Sequence, residues 1–167
     1  MSRKTNSVRH ETGNRLVPDA VDRKLLGLLA ENADRSYGAL GQAVHLSAPA
    51  VHERVKRLKQ EGIIKATVAV IDGVRIGRSL LAFVTVSTKS WATTRQLLQL
   101  SETPDVEEIH TITGENAMLI KIRTKDTRSL ENLLEIIHAI EGVEGTSSHI
   151  VLSSYLERGP SPEALEK

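Results

Sequence analysis

Basic side chains recur on one side of a short segment around residue 50. Three apolar residues spaced i, i+4 and i+7 would form the buried stripe of a helix there: Val51, Val55 and Leu58. The positions left on its outer surface are Ala48, Pro49, His52, Glu53, Lys56, Arg57 and Lys59. Lysine and arginine neutralise phosphates, and histidine can hydrogen-bond to a base edge. We therefore predict a helix that binds DNA through this surface.

Two amphipathic segments precede this one and would position it. The first begins after Pro18, with Asp19 and Asp22 in its opening turn, where the positive end of the helix dipole favours acidic groups. Its apolar stripe is Val21, Leu25, Leu28 and Leu29. The second stripe is shorter and consists of Tyr37, Leu40 and Val44. Three short amphipathic helices in succession predict a helix-turn-helix.

The residues between these segments are suited to ending and restarting helices. Ser36 and Ser47 are placed to cap the second and third helices, and Gly62 is placed to end the third. Pro49 is tolerated in a first turn, where backbone N–H groups lack intrahelical partners. Only two residues separate the second helix from its successor's cap. The first of them, His45, should adopt the left-handed conformation that such a turn usually needs.

Charge is distributed unevenly along the 167 residues. Residues 1–65 contain twelve Lys and Arg against seven Asp and Glu, and the remainder contains ten against fourteen. The formal net charge of +1 therefore combines a basic first part of +5 with an acidic second part of −4. A basic lobe around a helix-turn-helix favours double-stranded DNA as the partner. A solvated charged helix in an ordinary bundle is the alternative.

Composition limits the remaining possibilities. The chain has no cysteine, which excludes disulfides and thiolate metal sites. No stretch is apolar enough to span a bilayer, so we expect a cytoplasmic, nucleoid-associated protein. We predict a flexible basic arm at residues 1–17 and a flexible tail at residues 158–167. The arm either binds a polyanion or is a tail without function.

After Gly62 the hydrophobic pattern changes to that of strands. Ala66, Val68 and Val70 would form a short strand ending at the Asp72-Gly73 turn, inside a hinge at residues 65–78. Residues 79–157 then contain a strand at 80–88, a helix at 94–101, strands at 106–113 and 118–123, a helix capped by Asp126 and ended by Gly142, and a strand at 146–155. This βαββαβ order predicts an α+β fold. The helix-turn-helix at residues 18–64 precedes a ferredoxin-like sandwich with two helices on one face of an antiparallel sheet.

The other face of that sheet could bind RNA or a second copy of the chain. RNA-binding sheets of this layout stack bases on aromatic residues of their middle strands. The chain contains four aromatic residues, none of them between residues 106 and 123. RNA binding is therefore disfavoured. We expect a bare face carrying Leu, Ile and Val, which would be covered by dimerisation.

The motifs together resemble the leucine-responsive regulator and AsnC family of transcription factors. The opening helix signature is Val21-Asp22-Arg23-Lys24-Leu25-Leu26, and the recognition segment runs from Leu46 to Leu58 and exits through Glu61-Gly62-Ile63-Ile64. The resemblance extends from about Pro18 to Leu156. It implies a DNA-binding helix-turn-helix joined to a βαββαβ effector domain, homodimers that commonly assemble into octamers, and amino acids as effectors.

The resemblance also implies an effector site in the second domain. The glycine loop of the family is matched by Thr113, Gly114, Glu115, Asn116 and Ala117, and polar positions of its last strand by Thr146 and Ser148. In the family an Asp at the position of Ala117 helps to hold the ammonium group of the ligand. Because this chain has no carboxylate at that position, we expect free amino acids to bind weakly or not at all unless Glu115 turns inward.

No constellation for catalysis stands out. None of the six histidines has a partner at the i, i+4 spacing of a helical metal site, and no phosphate-binding or nucleophile motif is present. His110 and His149 lie on strands that could be neighbours, which leaves a sirohaem-decarboxylase-like enzyme as an alternative. We predict no catalytic residue, no metal and no cofactor.

Three interpretations stay open. Arg54 either contacts phosphate or pairs with Asp22 or Glu31 on the first helix. Glu53 either accepts a hydrogen bond from a cytosine amino group or points away from DNA. The chain as a whole is either a sequence-specific regulator, for which the candidate DNA contacts are Ser36, Ser47, Ala48, Pro49, His52, Arg54, Lys56 and Arg57, or an architectural protein that wraps DNA without an effector.

Overall fold

The computed structural model describes residues 17–162. The predicted arm at residues 1–17 and the last part of the predicted tail lie outside the described residues, apart from Val17. The described chain divides into two compact units, residues 17–69 with 158–162 and residues 70–157.

Three helices form the first unit: α1 at Ala20–Glu31, α2 at Tyr37–Val44 and α3 at Ala48–Gln60. The predicted stripes meet in one core, which consists of Leu25, Leu40, Val44, Val51 and Val55, flanked by Val21, Leu28, Leu29, Leu46 and Ile64. The predicted caps are present, because the Ser36 Oγ accepts from the Ala39 N–H at 3.2 Å and the Ser47 Oγ from the Ala50 N–H at 3.4 Å. Tyr37 departs from the prediction, since it is 38% exposed and lies outside this core.

The turn between α2 and α3 has the geometry that the sequence predicts. His45 adopts φ 57° and ψ 43°, the left-handed conformation, and Gly62 has φ 70° just beyond α3. The buried Gly41 lies directly against this turn, where its carbonyl accepts from the Leu46 N–H at 2.9 Å. A Cβ at position 41 would overlap the carbonyl oxygen of Leu46. The absence of a side chain at Gly41 therefore lets α2 approach the start of α3.

The second unit is a four-stranded antiparallel sheet covered by helices. Its elements are β1 at Leu80–Thr88, α4 at Trp91–Leu97 followed by a 3₁₀ helix at Leu98–Glu102, β2 at Val106–Thr111, β3 at Met118–Thr124, α5 at Thr127–His138 and β4 at Val143–Ile150. The strand order is β2-β3-β1-β4. The predicted α+β fold with a βαββαβ domain is confirmed.

The two faces of the sheet differ in composition. The helix-covered face carries the core residues Ala82, Val84, Val86, Met118, Ile120 and Ile122, which pack against α4, α5 and the 3₁₀ helix. On the other face, alternation along β1 and β3 places Phe83 and Thr85 beside Leu119 and Lys121. The expectation of a bare face carrying Leu, Ile and Val is met along β1 and β3 only for leucine, because the strand register turns Ile and Val inward. The open face combines a few apolar side chains with charged ones.

The predicted strand at residues 66–70 does not form. Residues 65–72 are exposed and have no ladder partner within the described chain, with Val68 75% and Val70 100% exposed. Alternating hydrophobicity predicts a strand only when another strand is available to pair with it. Among the described strands of this chain, none pairs with the segment.

Several predicted boundaries shift by a few residues. β4 starts earlier and ends at Ile150, because its pairing with β1 runs out where Ala82 faces Ile150. β2 stops at Thr111 rather than at residue 113, and α4 begins at Trp91, after a Ser90 cap. α5 ends at His138. Gly142 therefore does not end the helix but lies, with φ 89°, in the turn into β4.

Gly41 provides a test of the approach between α2 and α3. We expect Gly41→Ala to lower the free energy of unfolding by about 1–3 kcal/mol, as overpacking against rigid backbone does. The control is Gly38→Ala in the same helix, where the nearest atom to the new Cβ is Ser36 Oγ at 3.8 Å. The free energy of unfolding of that variant should rise by up to about 1 kcal/mol, because alanine has a higher helix propensity than glycine. Equal urea midpoints for the two variants would contradict this account of the turn.

Candidate nucleic-acid interface

The outer surface of α3 carries the polar residues that the sequence predicts there. One side of α3 is buried inside the first unit through Val51, Val55 and Leu58. The opposite side leaves His52, Glu53, Lys56 and Lys59 exposed. His52 retains 51% and Lys56 52% of its side-chain exposure. These two groups are thus available to an external partner on a helix that begins with the exposed Ala48 and Pro49.

A buried carboxylate ties α3 to the start of α1. The Asp22 side chain is 1% exposed, and its two oxygens lie 2.8 Å from Arg54 Nη1 and 2.7 Å from Arg57 Nη2. Arg54 Nη1 also lies 2.7 Å from Asp19 Oδ2. A buried carboxylate is costly unless it is paired, and here two guanidinium groups pair with it. We call these four residues the Asp22 cluster.

The Asp22 cluster also caps α1. The Asp19 Oδ1 accepts from the Asp22 N–H at 2.7 Å, and the Asp22 Oδ2 accepts from the Asp19 N–H at 3.3 Å. The Asp22 N–H, and after it the Arg54 guanidinium, holds the pKa of the Asp19 carboxyl below its usual range. The same two carboxylates, Asp19 first, raise the pKa of Arg54. Helix capping and interhelix pairing thus depend on the same pair of acids.

These contacts distinguish between the interpretations of the arginines. Arg54 pairs with Asp22, as one of its predicted alternatives had it, whereas Glu31 pairs with Arg35 at 2.9 Å. Arg57, predicted on the outer surface, turns to Asp22 instead and is half-buried. Its Nε is buried without a hydrogen-bond partner among the described residues. The sequence could not show this, because the helical position of Arg57 lies between the buried and the exposed faces.

Glu53 contacts its own neighbours on α3. One carboxylate oxygen lies 3.3 Å from His52 Nδ1 and the other 3.7 Å from Lys56 Nζ. The ring of Tyr37 meets the His52 ring edge to face, with 5.2 Å between centroids and 69° between planes. Sequence reasoning assigned Tyr37 to the core and so missed this contact. The contact could have been inferred from the position of Tyr37, because it is the first residue of an eight-residue helix and follows the helix cap.

The candidate effector residues lie on the two sides of β1, with the loop before β3 on one side and Thr146 and Ser148 of β4 on the other. The Ala117 N–H donates to the Val86 carbonyl at 2.9 Å, and Val86 pairs with Thr146 on β4. Thr113, Gly114 and Glu115 form the exposed part of the loop, where Gly114 adopts φ 115°. Ala117 packs against the sheet core, and Asn116 is half-buried.

The last strand contributes Thr146 and the exposed Ser148 to the same region. The Thr146 hydroxyl lies 2.9 Å from His138 Nε2 on α5. His138 was not predicted as part of this region, because its pairing with β4 depends on the strand register. The surface cavity of about 390 Å³ between α5 and β4 is lined by Leu130, Leu134 and Ile150, among others, and not by the loop.

The two histidines that suggested an enzyme are far apart. His110 lies on β2 and His149 on β4, which are the opposite edges of the sheet, so β3 and β1 separate them. Three strand spacings amount to about 14 Å. The expectation that their strands could be neighbours is wrong. Within residues 17–162 no cluster of three or more potential metal ligands occurs, and no helix has the length and apolar character needed to cross a membrane.

A helix-turn-helix with an exposed basic surface, followed by a βαββαβ sandwich, defines a two-domain DNA-binding transcriptional regulator. Comparison with known families agrees with both halves. The AsnC-type helix-turn-helix domain matches residues 19–59, and the Lrp/AsnC ligand binding domain matches residues 81–161. The chain belongs to the Lrp/AsnC family of transcriptional regulators.

Individual relatives support this assignment. The HTH-type transcriptional regulator FL11 of Pyrococcus horikoshii is 33% identical over 144 residues, which cover 86% of this chain and 95% of that protein. The structure of Escherichia coli AsnC superposes with a TM-score of 0.80 at 27% identity and covers 88% of this chain and all of that one. A Neisseria meningitidis regulator, solved as a complex with L-Met, gives a TM-score of 0.78 at 25% identity and covers 84% of this chain and 93% of that one. These relatives are regulators, not enzymes, and the decarboxylase alternative is set aside.

Proposed function

We propose that this regulator recognises a specific DNA sequence by placing the outer surface of α3 in the major groove. The observation that supports this most directly is the exposure of His52 and Lys56 on a helix whose opposite stripe is buried. In a helix-turn-helix the early part of the second helix approaches the bases. The proposed contact surface consists of Ser36, Ser47, Ala48, Pro49, His52 and Lys56.

In this proposal the basic residues of α3 have two different roles. Lys56 binds phosphate, because its only ion-pair partner within residues 17–162 is the exposed Glu53 at 3.7 Å, and exposed pairs of this kind are weak. Arg54 and Arg57 orient the helix through Asp22. Each keeps partial exposure, 28% and 44% of its side chain, so that the remaining N–H groups at its Nη atoms can also face a phosphate.

We propose that the chain acts as a homodimer, which assembles further into an octamer, on chromosomal DNA of the nucleoid. The support is the exposed segment at residues 65–72, which pairs with none of the described strands, together with the apolar side chains of Phe83 and Leu119 on the open face of the sheet. A partner chain would cover such groups. Two-fold symmetry would then be repeated in the DNA site.

We propose a small-molecule site formed by Thr113–Ala117, Thr146 and Ser148, completed by another subunit. The exposed loop backbone at Gly114 suits a carboxylate. Ala117, however, offers no charge to an ammonium group, whose transfer from water is costly without a carboxylate. The L-Met complex of the Neisseria relative shows that a structurally similar protein binds an amino acid. For this chain we infer that common amino acids are poor effectors.

The sequence-specific reading and the architectural one differ in their footprints. Selection from a random DNA pool should yield a discrete site with two-fold symmetry, and its half-sites should lie about one helical turn, or a multiple of it, apart. The variant Lys56→Ala should weaken binding to selected and random DNA alike. It should also reduce the slope of log K against log salt by about one. The control is Lys24→Ala, which removes an exposed lysine from α1 and should leave that slope unchanged.

Three results would count against this proposal. Phased protection along DNA of any sequence would support the architectural alternative. An unchanged salt slope in Lys56→Ala would show that α3 does not face the phosphates. An equal loss in Lys24→Ala would indicate a diffuse effect of net charge.

The effector proposal predicts that the common amino acids do not stabilise the wild-type protein in a thermal-shift screen. A ligand at about a hundredfold over its dissociation constant stabilises by roughly 2.7 kcal/mol, which a melting curve resolves. Ala117→Asp should gain such a shift with at least one amino acid, because it restores an ammonium partner. The matched control is Ala117→Asn, which has a similar shape without the charge and should gain none.

The informative failure is a clear shift in the wild type. If an amino acid stabilises the wild-type protein and Ala117→Asp does not strengthen the effect, another group, with Glu115 the nearest candidate in the loop, supplies the ammonium contact. The proposed chemistry of the loop would then be wrong.

A further inference from the structure

Two side chains on different helices converge on His52. Tyr37, the first residue of α2, places its ring edge to face with the imidazole. Glu53, the next residue of α3, places a carboxylate oxygen 3.3 Å from His52 Nδ1. The His52 side chain nevertheless remains half exposed, so it is oriented without being enclosed.

The Glu53 contact has a chemical consequence for the imidazole. The negatively charged carboxylate oxygen, 3.3 Å from Nδ1, repels a lone pair on that nitrogen and so favours the tautomer that carries its proton there. In a neutral ring the other nitrogen, Nε2, is then an acceptor. Such an acceptor matches the exocyclic amino groups of adenine and cytosine in the major groove, whereas guanine presents only acceptors there.

The Tyr37 contact restricts the plane of the ring. Edge-to-face packing of aromatic rings is favourable and directional, and a tyrosine loses little conformational entropy when it is held in place. Because Tyr37 follows the Ser36 cap, its backbone position is fixed by the start of α2. The histidine is therefore oriented by a different helix from the one that carries it.

We propose that Tyr37 and Glu53 are positioning residues for base recognition by His52. Tyr37 sets the ring plane, and Glu53 keeps the proton on Nδ1 so that Nε2 accepts from a base amino group. This inference rests on the proposed function, in which α3 lies in the major groove. It also gives a role to an acidic residue on a surface that binds phosphate, where a carboxylate is otherwise repelled.

The test uses the full-length protein at about pH 8, where ordinary imidazole is neutral. Affinity is measured for the DNA site obtained by selection, for versions with each base pair replaced, and for a random duplex. His52→Ala identifies the base pair that His52 reads. At that base pair Tyr37→Ala and Glu53→Gln should each reduce discrimination about tenfold, as loss of one base contact does. The control Tyr37→Phe keeps the ring and should retain discrimination.

Two further readouts separate positioning from damage to the fold. Glu53→Gln removes a negative charge, so its affinity for random DNA should rise while discrimination falls, which unfolding cannot produce. In a His52→Ala background, Tyr37→Ala and Glu53→Gln should cause no further loss of discrimination, because the residue on which they act is absent. Melting curves confirm that each variant is folded.

The possible failures point to different errors. Full discrimination in both Tyr37→Ala and Glu53→Gln, or equal losses in Tyr37→Phe and Tyr37→Ala, would overturn the positioning roles while leaving α3 in the groove. Unchanged discrimination in His52→Ala would also overturn the inference. Failure of the wild-type protein to discriminate between any sequences would instead refute the proposed function itself.

Discussion

The paired carboxylate of Asp22 is the constraint on which the DNA-binding unit depends. The described part of this unit has a small apolar core, with six buried apolar residues including Leu58, and a core of this kind fixes helix angles only loosely. A buried carboxylate restricts the position of a helix more strongly, because its burial is tolerated only where its cationic partners reach it. The position of α3 is therefore set by the requirement that Arg54 and Arg57 reach the same side chain on α1.

This arrangement divides α3 into three surfaces. One is apolar and packs in the core, one is cationic and pairs with Asp22, and one is exposed and carries His52, Glu53, Lys56 and Lys59. Of the seven residues that periodicity placed outward, Arg57 turns to Asp22, and the other six stay exposed: Ala48, Pro49, His52, Glu53, Lys56 and Lys59. The helix presents fewer free charges to DNA than its sequence indicates, and more of its basic residues support its orientation.

The sequence correctly predicted structural features that depend on residues close to one another in the chain. The caps at Ser36, Ser47 and Asp126, the left-handed His45 and the βαββαβ order all follow from local chemistry or from period, and the structure confirms them. What depended on long-range pairing was not predictable. The strand at residues 66–70 required a partner strand, and the separation of His110 from His149 required the strand order.

The same distinction between local features and long-range contacts applies to the candidate site. The residues of the α3 surface and of the loop at Gly114 could be named from the sequence, and the family assignment rests on the same motifs. The contacts that give these residues distinct roles could not. Tyr37 against His52, His138 against Thr146 and Arg57 against Asp22 each join residues from different elements, and the direction of each side chain depends on packing.

If Asp22 orients α3, the proposed recognition helix, the most direct measurement is the DNA selectivity of Asp22→Asn, compared with that of Asp34→Asn as an exposed control with the same change in charge. The ratio of affinities for selected and random duplexes should collapse towards one in Asp22→Asn. Its free energy of unfolding should fall by about 3 kcal/mol, at the low end for a broken buried ion pair because both arginines keep access to water. Asp34→Asn should match the wild type in both quantities. A folded Asp22→Asn protein that discriminates between the duplexes as well as the wild type would contradict the account.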